Sequence, residues 1–311
     1  MTPAPLFGDM AGGPDDGKAW WLTTPDGVRV RMGAWGFDAP KGTILLFPGR
    51  TEYIEKYGIT AKDFLDHGFA TVAMDWRGQG LADRLTGDRV KGHVLHFRDY
   101  QTDVGAMLQA IEDLGLPKPY MLIGHSMGGC IGLRALHSGL PVKAAAFSAP
   151  MWGILMPQGV APLAPTITKV GTALGLGTRL IPSARQDDYV VAEPFEDNTL
   201  TRDPEMFERM RQHLLAHPEL GLGGPTFRWL HEALREMDAL MAAPAPDLPC
   251  LCYLGTNERI VEPDSIRKRM ATWPKGTLTV VPDAEHEVLM EVPETRHRVA
   301  TEICAFFDQH L

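Results

Sequence analysis

Short apolar runs recur along this chain, separated by stretches in which apolar residues return every three or four positions. The runs at 43–47, 69–74, 120–123, 144–147, 250–254 and 278–281 lack polar alternation, as strands buried on both faces of a parallel sheet do. Helical periodicity fills 53–67, 99–114, 264–272 and 295–309. Two further runs, 19–24 and 28–35, flank Pro25-Asp26-Gly27 and predict an opening hairpin. Strands and helices in this order predict an α/β fold, with a mostly parallel eight-stranded sheet covered by helices on both faces.

The alternation stops at residue 151 and resumes near 247. In between, prolines at 157, 162, 165, 182, 194, 204, 218, 225, 244 and 246 break the chain into short helical or irregular pieces. Asp203-Pro204-Glu205 reads as an N-cap with proline at N1, opening a helix to about 216, and Pro225 opens another to about 241. The division predicted is a core of residues 18–150 and 247–311 with a helical cap, or lid, inserted at 151–246. Such a cap would lie over the carboxyl ends of the strands, where open parallel sheets bind ligands. Residues 1–17, rich in proline, glycine and acid, predict a flexible N-terminal arm.

With 311 residues, 44% of them apolar, the chain can bury a large core. Its net charge of −9 and the absence of a basic cluster argue against nucleic acid as a partner. The same charge disfavours electrostatic docking on anionic lipid, so transient membrane or micelle contact would run through apolar cap residues. No uninterrupted apolar stretch of spanning length occurs, and the first residues lack a basic segment followed by an apolar core. The expected location is the cytoplasm, at most peripheral to the inner face of a membrane. Cys130, Cys250, Cys252 and Cys304 read as buried free thiols. Nothing in the pattern calls for a metal, a cofactor or an obligate protein partner.

Gly124-His125-Ser126-Met127-Gly128 directly follows the run at 120–123, and small residues on both sides of a serine there fit a sharp strand-to-helix turn that exposes its hydroxyl. Acyl transfer from Ser126 needs a base, an acid that orients the base, and oxyanion donors. Among eleven histidines, His286 lies just beyond the last apolar strand, where a loop can return it to Ser126. His125 adjoins the serine but is expected to face away from its hydroxyl. Glu258, directly after the glycine turn that leaves the strand at 250–254, is the candidate acid, with Glu262 and Asp264 as competitors. The backbone N–H groups of Met127 and Arg50 are the candidate oxyanion donors. The Arg50 side chain either attracts a phosphate or carboxylate near the pocket or pairs with Glu52 or the loop at 75–77.

Taken together, Phe47-Pro48-Gly49-Arg50-Thr51-Glu52-Tyr53-Ile54-Glu55-Lys56-Tyr57, Asp75-Trp76-Arg77-Gly78-Gln79-Gly80, Gly124 to Gly129, Gly255-Thr256-Asn257-Glu258 and Glu285-His286-Glu287 resemble the α/β-hydrolase superfamily. Within it the chain looks most like the lysophospholipase L2 and monoacylglycerol lipase group, from about residue 20 onward. Many members have histidine at the position of Pro48 and aspartate at that of Glu258. The resemblance implies an α/β-hydrolase fold and a catalytic set of Ser126, Glu258 and His286. It also implies a serine carboxylic-ester hydrolase acting on a single-chain acyl glycerolipid, a lysophospholipid or a monoacylglycerol, through an acyl-enzyme. Trp152, Leu155 and Trp229 are candidate cap residues for the acyl chain. The rivals are a small-ester esterase or thioesterase, an aminopeptidase of the proline-iminopeptidase kind using acids among Asp187, Asp188, Glu193, Glu196 and Asp197, and a non-catalytic binding protein.

Overall fold

A computed structural model describes residues 1–182 and 184–311. Nine strands form one sheet in the order β1-β2-β3-β5-β4-β6-β7-β8-β9. They are β1 (Thr2–Ala4), β2 (Lys18–Thr23), β3 (Arg29–Trp35), β4 (Gly42–Phe47), β5 (Phe69–Asp75), β6 (Tyr120–His125), β7 (Val142–Ser148), β8 (Cys250–Gly255) and β9 (Gly276–Val281). The first three strands and their junction with β5 are antiparallel; every later pairing is parallel.

The sheet has one strand more than expected, because the N-terminal segment is not a flexible arm. Thr2 pairs with Trp21 and Ala4 with Ala19, and α1 (Gly8–Ala11) follows. Arg31 Nη1 donates to the Pro5 carbonyl at 3.0 Å, the Phe7 N–H donates to Glu55 Oε1 at 3.2 Å, and the Phe7 ring stacks on His217 at 3.5 Å. These anchors are contributed by distant residues, so a segment without periodicity of its own is ordered by what it touches.

Strand side chains alternate between faces. Leu45 and Phe47 of β4 enter one buried cluster with Val72 and Leu122, while Ile44 and Leu46 enter the opposite one with Ala73 and Ile123. The first cluster packs under α3 (Tyr100–Asp113) and α4 (Met127–His137), the second under α2 (Gly58–Asp66) and α10 (Pro293–Asp308). A 3-10 turn at Ile54–Tyr57 opens the helical stretch before α2.

Between β7 and β8 the chain leaves the sheet, forming α5 (Ala164–Gly171), α6 (Tyr189–Ala192), α7 (Pro204–Ala216) and α8 (Phe227–Ala242) before β8 pairs directly with β7. Asp203 caps α7 by accepting from the Glu205 and Met206 N–H groups at 2.9 and 3.2 Å, with Pro204 at N1. Thr226 caps α8 through the Trp229 N–H at 3.2 Å, so the helix opens two residues after Pro225. Phe207, Met210 and Leu214 of α7 join one core cluster; Trp229, Ala233 and Leu234 of α8 join the other. The inserted block is therefore packed against both layers. The remaining helix, α9 (Pro263–Ala271), lies between β8 and β9. Among the described residues, no helix is long and apolar enough to cross a membrane.

Candidate active site

Ser126 joins β6 to α4 with φ 49° and ψ −119°, a left-handed backbone that non-glycine residues rarely adopt. Its own N–H donates to the Ser148 carbonyl at 3.1 Å. The flanking glycines follow from close approach. A Cβ on Gly128 would lie 1.9 Å from the Phe47 carbonyl oxygen, one on Gly129 2.5 Å from Pro150 Cβ, and one on Gly124 2.9 Å from Gly129 Cα. Ser126 is 8% exposed and opens onto a cavity of about 700 Å³.

His286 lines the same cavity. Its Nδ1 is 2.8 Å from Glu258 Oε2, while Glu258 Oε1 accepts the N–H groups of Ile260 and Val261 at 2.7 and 3.0 Å. Burial by itself would raise the Glu258 pKa, but His286 and the two amides outweigh it and hold the carboxyl below its ordinary value. Burial pulls the His286 imidazole down, and the Glu258 carboxylate more than reverses this, so the ring titrates above its ordinary value. Nδ1–H directed at Glu258 leaves Nε2 as the basic nitrogen. The Ser126 hydroxyl makes no hydrogen bond shorter than 3.5 Å among the described residues, a looseness common before substrate is bound. Of the competing acids, Glu262 accepts from the Ser265 hydroxyl and Asp264 sits in the first turn of α9; neither reaches His286.

Met127 directly follows the serine, and Arg50 lines the same cavity. Among the described residues, neither the Arg50 nor the Met127 N–H has an acceptor. The Arg50 turn is held from beneath. Trp76 Nε1 donates to the Pro48 carbonyl at 3.0 Å and Gln79 Nε2 to the Gly49 carbonyl at 2.9 Å, which gives the Asp75–Gly80 loop a supporting task. Thr51, next in the chain, has φ 67°.

Other walls of the cavity are mainly apolar, including Ile154, Leu155, Val160, Ile181, Phe227 and Trp229. Trp152 is not among its lining residues. It is buried against Trp273, ring centroids 6.1 Å apart, and its Nε1 donates to the Gly129 carbonyl at 3.2 Å, so it supports the serine turn from behind. Leu155 and Trp229 do line the cavity.

The Hydrolase_4 family, described as serine aminopeptidase S33, matches residues 38–293. The chain belongs to that family. Lysophospholipase L2 of Escherichia coli K12 is 30% identical over 308 residues, covering 93% of this chain and 87% of that protein. Probable lysophospholipase L2 of Haemophilus influenzae is 29% identical, covering 87% and 85%. Among solved structures, a soluble variant of monoglyceride lipase from Saccharomyces cerevisiae superposes with a TM-score of 0.71 at 19% identity, covering 94% of this chain and 96% of that one. Monoacylglycerol lipase of Paleococcus ferrophilus gives 0.67 at 20%, covering 90% and 98%. These superpositions establish an α/β-hydrolase fold.

In this member of the S33 family, a buried ionic cluster missed by the sequence reading lies beside the serine. Lys56 Nζ bridges Glu52 Oε1 and Glu287 Oε1, each at 2.6 Å. Glu52 Oε2 also accepts from the Tyr57 hydroxyl at 2.5 Å and from the Gly49 N–H, bracing the turn that carries Arg50. Burial would raise the Glu52 pKa, but Lys56 and its other neighbours hold it at about 2. Glu52, His125 and Glu287 have ligand atoms within 4.8 Å of one another, and the Lys56 ammonium supplies the positive charge that a cation would bring. His125 also lines the cavity, its ring 4.8 Å from that of His286. Its Nδ1 donates to the Ser148 carbonyl at 3.0 Å, and burial depresses its pKa to about 4, so it stays neutral. The four-residue spacing of Glu52 and Lys56 was the available signal; Glu287 is supplied by a remote loop.

Proposed function

We propose that the protein is a carboxylic-ester hydrolase of single-chain acyl glycerolipids, either lysophospholipids or monoacylglycerols. Ser126 Oγ attacks the acyl carbonyl as His286 Nε2 takes its proton, and Glu258 fixes the imidazole and stabilises its charged form. The Arg50 and Met127 N–H groups bind the oxyanion. His286 then protonates the departing glycerol oxygen, and a water activated by the same nitrogen releases the fatty acid. The observation that carries this reading is the shared cavity: Ser126 and the Glu258-paired His286 open, with two unpaired backbone donors nearby, into a space whose remaining walls are largely apolar. At about 700 Å³ it suits one acyl chain with a small head. The lysophospholipase L2 relatives point to the same substrates. Exposed Leu155, Val160, Leu163, Ile167, Val170 and Leu174 support transient contact of the cap with a membrane or micelle, where such substrates reside.

The aminopeptidase reading requires a free carboxylate in the cavity. Of the five acids considered, Asp188 alone lines it, and Asp188 already accepts the Val190 and Leu222 N–H groups at 3.2 and 3.4 Å. Fatty-acid release from lysophosphatidylcholine, a monoacylglycerol of equal chain length and a short p-nitrophenyl ester tests the proposal. We expect both lipids to exceed the short ester, and Ser126→Ala to lower turnover by at least about 10³-fold. Turnover of the short ester alone would reduce the protein to an esterase, and activity retained in Ser126→Ala would remove the mechanism.

A further inference from the structure

Arg50, one of the residues lining the cavity, carries a guanidinium without an ion pair among the described residues. No carboxylate oxygen lies within 4.0 Å of it among the described residues, and the partners expected from sequence are taken. Glu52 is bound to Lys56, Asp75 to Arg31, and Arg77 to Asp26 and Asp103. Asp188 acts on Arg50 only from a longer distance, with its oxygens occupied by backbone N–H groups. Lys56, the other cation lining the cavity, is doubly paired. Burial lowers the Arg50 pKa to about 10, which leaves it charged at neutral pH.

The guanidinium nevertheless occupies a built seat. Its Cζ lies 5.3 Å from the centre of the Trp229 ring, and Nη2 donates to the Gly223 carbonyl. Gly92 lies directly against the guanidinium: a Cβ there would come within 2.5 Å of Nη2 and 3.2 Å of Cζ. Gly92 is itself pinned, donating to the Gly224 carbonyl at 3.0 Å and accepting the Thr226 N–H at 2.9 Å. With Nη2 so held and Nε sealed without an acceptor, Nη1, which has no acceptor among the described residues, is the nitrogen left to meet an anion. A charge withdrawn from water is costly unless an opposite charge meets it. Here the cavity is the place from which an anion can come.

We propose that the Arg50 side chain binds the phosphate of the substrate head group and makes this a site for lysophospholipids in preference to uncharged monoacylglycerols. This rests on the ester-hydrolase reading above, in which the Arg50 N–H meets the acyl carbonyl oxygen. From that nitrogen to Cζ runs a path of six covalent bonds. In a 1-acyl lysophospholipid, a path of equal length runs from the carbonyl carbon through the ester oxygen and glycerol to phosphorus. One residue thus spans the reacting carbonyl and the head group. A guanidinium presents several N–H groups to phosphate oxygens, whereas a glycerol hydroxyl offers it much less.

The test is the ratio of kcat/KM for lysophosphatidylcholine to that for a monoacylglycerol of equal chain length, in which any general damage to the oxyanion turn cancels. We expect wild type to favour the lysophospholipid, and Arg50→Gln to lower the ratio by about 10- to 100-fold, as loss of a charge-assisted contact implies. Arg50→Lys, which keeps the charge but not the planar fork, is expected to fall between. A ratio within about threefold of wild type in Arg50→Gln, or a wild type that prefers the monoacylglycerol, overturns the proposal while leaving ester hydrolysis intact. Binding of dodecylphosphocholine against 1-O-dodecylglycerol, both below their micellar concentrations, needs no turnover. Tighter binding of the phosphate amphiphile, lost in Arg50→Gln, supports the site even if neither lipid is hydrolysed, a result that would instead sink the ester-hydrolase reading. Equal binding of the two overturns it. Inorganic phosphate at millimolar concentration that abolishes the lysophospholipid preference would assign the seat to a free anion and overturn the head-group assignment.

Discussion

Glu258 divides its two oxygens between structure and chemistry, Oε1 to the Ile260 and Val261 amides and Oε2 to His286. Removing its charge while keeping its shape has two expected results. Glu258→Gln lowers kcat by about 10²- to 10⁴-fold, because the imidazole loses the partner that fixes its tautomer and stabilises its cation. It also shifts the acidic limb of the pH profile. In the proposed mechanism His286 acts as the neutral base, so activity is expected to rise with pH through a pKa held above the ordinary histidine value by the Glu258 carboxylate. Without that carboxylate the limb moves to lower pH. Glu262→Gln is expected to stay within about threefold of wild type in a steady-state assay; a larger loss there than at Glu258 overturns the assignment. At this scale the contact between His286 and Glu258 was legible in the sequence, because each follows a strand end that the apolar runs had marked. The sequence was uninformative about Trp152, whose aromatic character suits a cavity wall and a buried support equally, and about Glu287, whose partner Lys56 is far away in the chain.

Among the elements, β3 carries an unusual burden. Arg31 lies fully buried in the strand, with Nε 2.7 Å from Asp75 Oδ2 and its Nη atoms 2.8 and 2.7 Å from the two Glu55 oxygens. Asp75 also accepts the Ile54 and Leu81 N–H groups at 2.9 and 2.8 Å. The strand thereby ties the end of the Arg50 turn to the loop that follows β5. Arg31→Met would leave two buried carboxylates facing each other, and we expect urea unfolding to register a loss of about 3–5 kcal/mol. A loss below about 1 kcal/mol would mean that the carboxylates take up protons or water without strain. The strand itself was legible from its apolar neighbours. The burial of Arg31 depends on the groups that meet it, Glu55, Asp75 and the Pro5 carbonyl, which lie elsewhere in the chain.

For the whole molecule, the first dozen residues connect sheet and cap. β1 extends the sheet, while the Met10 carbonyl accepts from the Arg209 guanidinium and, at 2.9 Å, from His213 Nε2, both on α7. Deleting residues 1–12 is expected to lower the melting temperature by about 5–10 °C and to speed proteolytic cleavage within 184–246; an unchanged melting temperature would show the strap to be dispensable. The sequence by itself determined the parallel core and the helical block between its strands, and singled out Ser126, Glu258 and His286 as candidates, because strand periodicity, proline and glycine punctuation and the turn around Ser126 are all local constraints. The tertiary structure decided the ninth strand, the buried Glu52–Lys56–Glu287 cluster and the unpaired Arg50 guanidinium beside Trp229. These depend on which groups meet across the fold. Burial then sets the outcome, since a charge in a dry interior must find a partner that its neighbours in sequence do not supply.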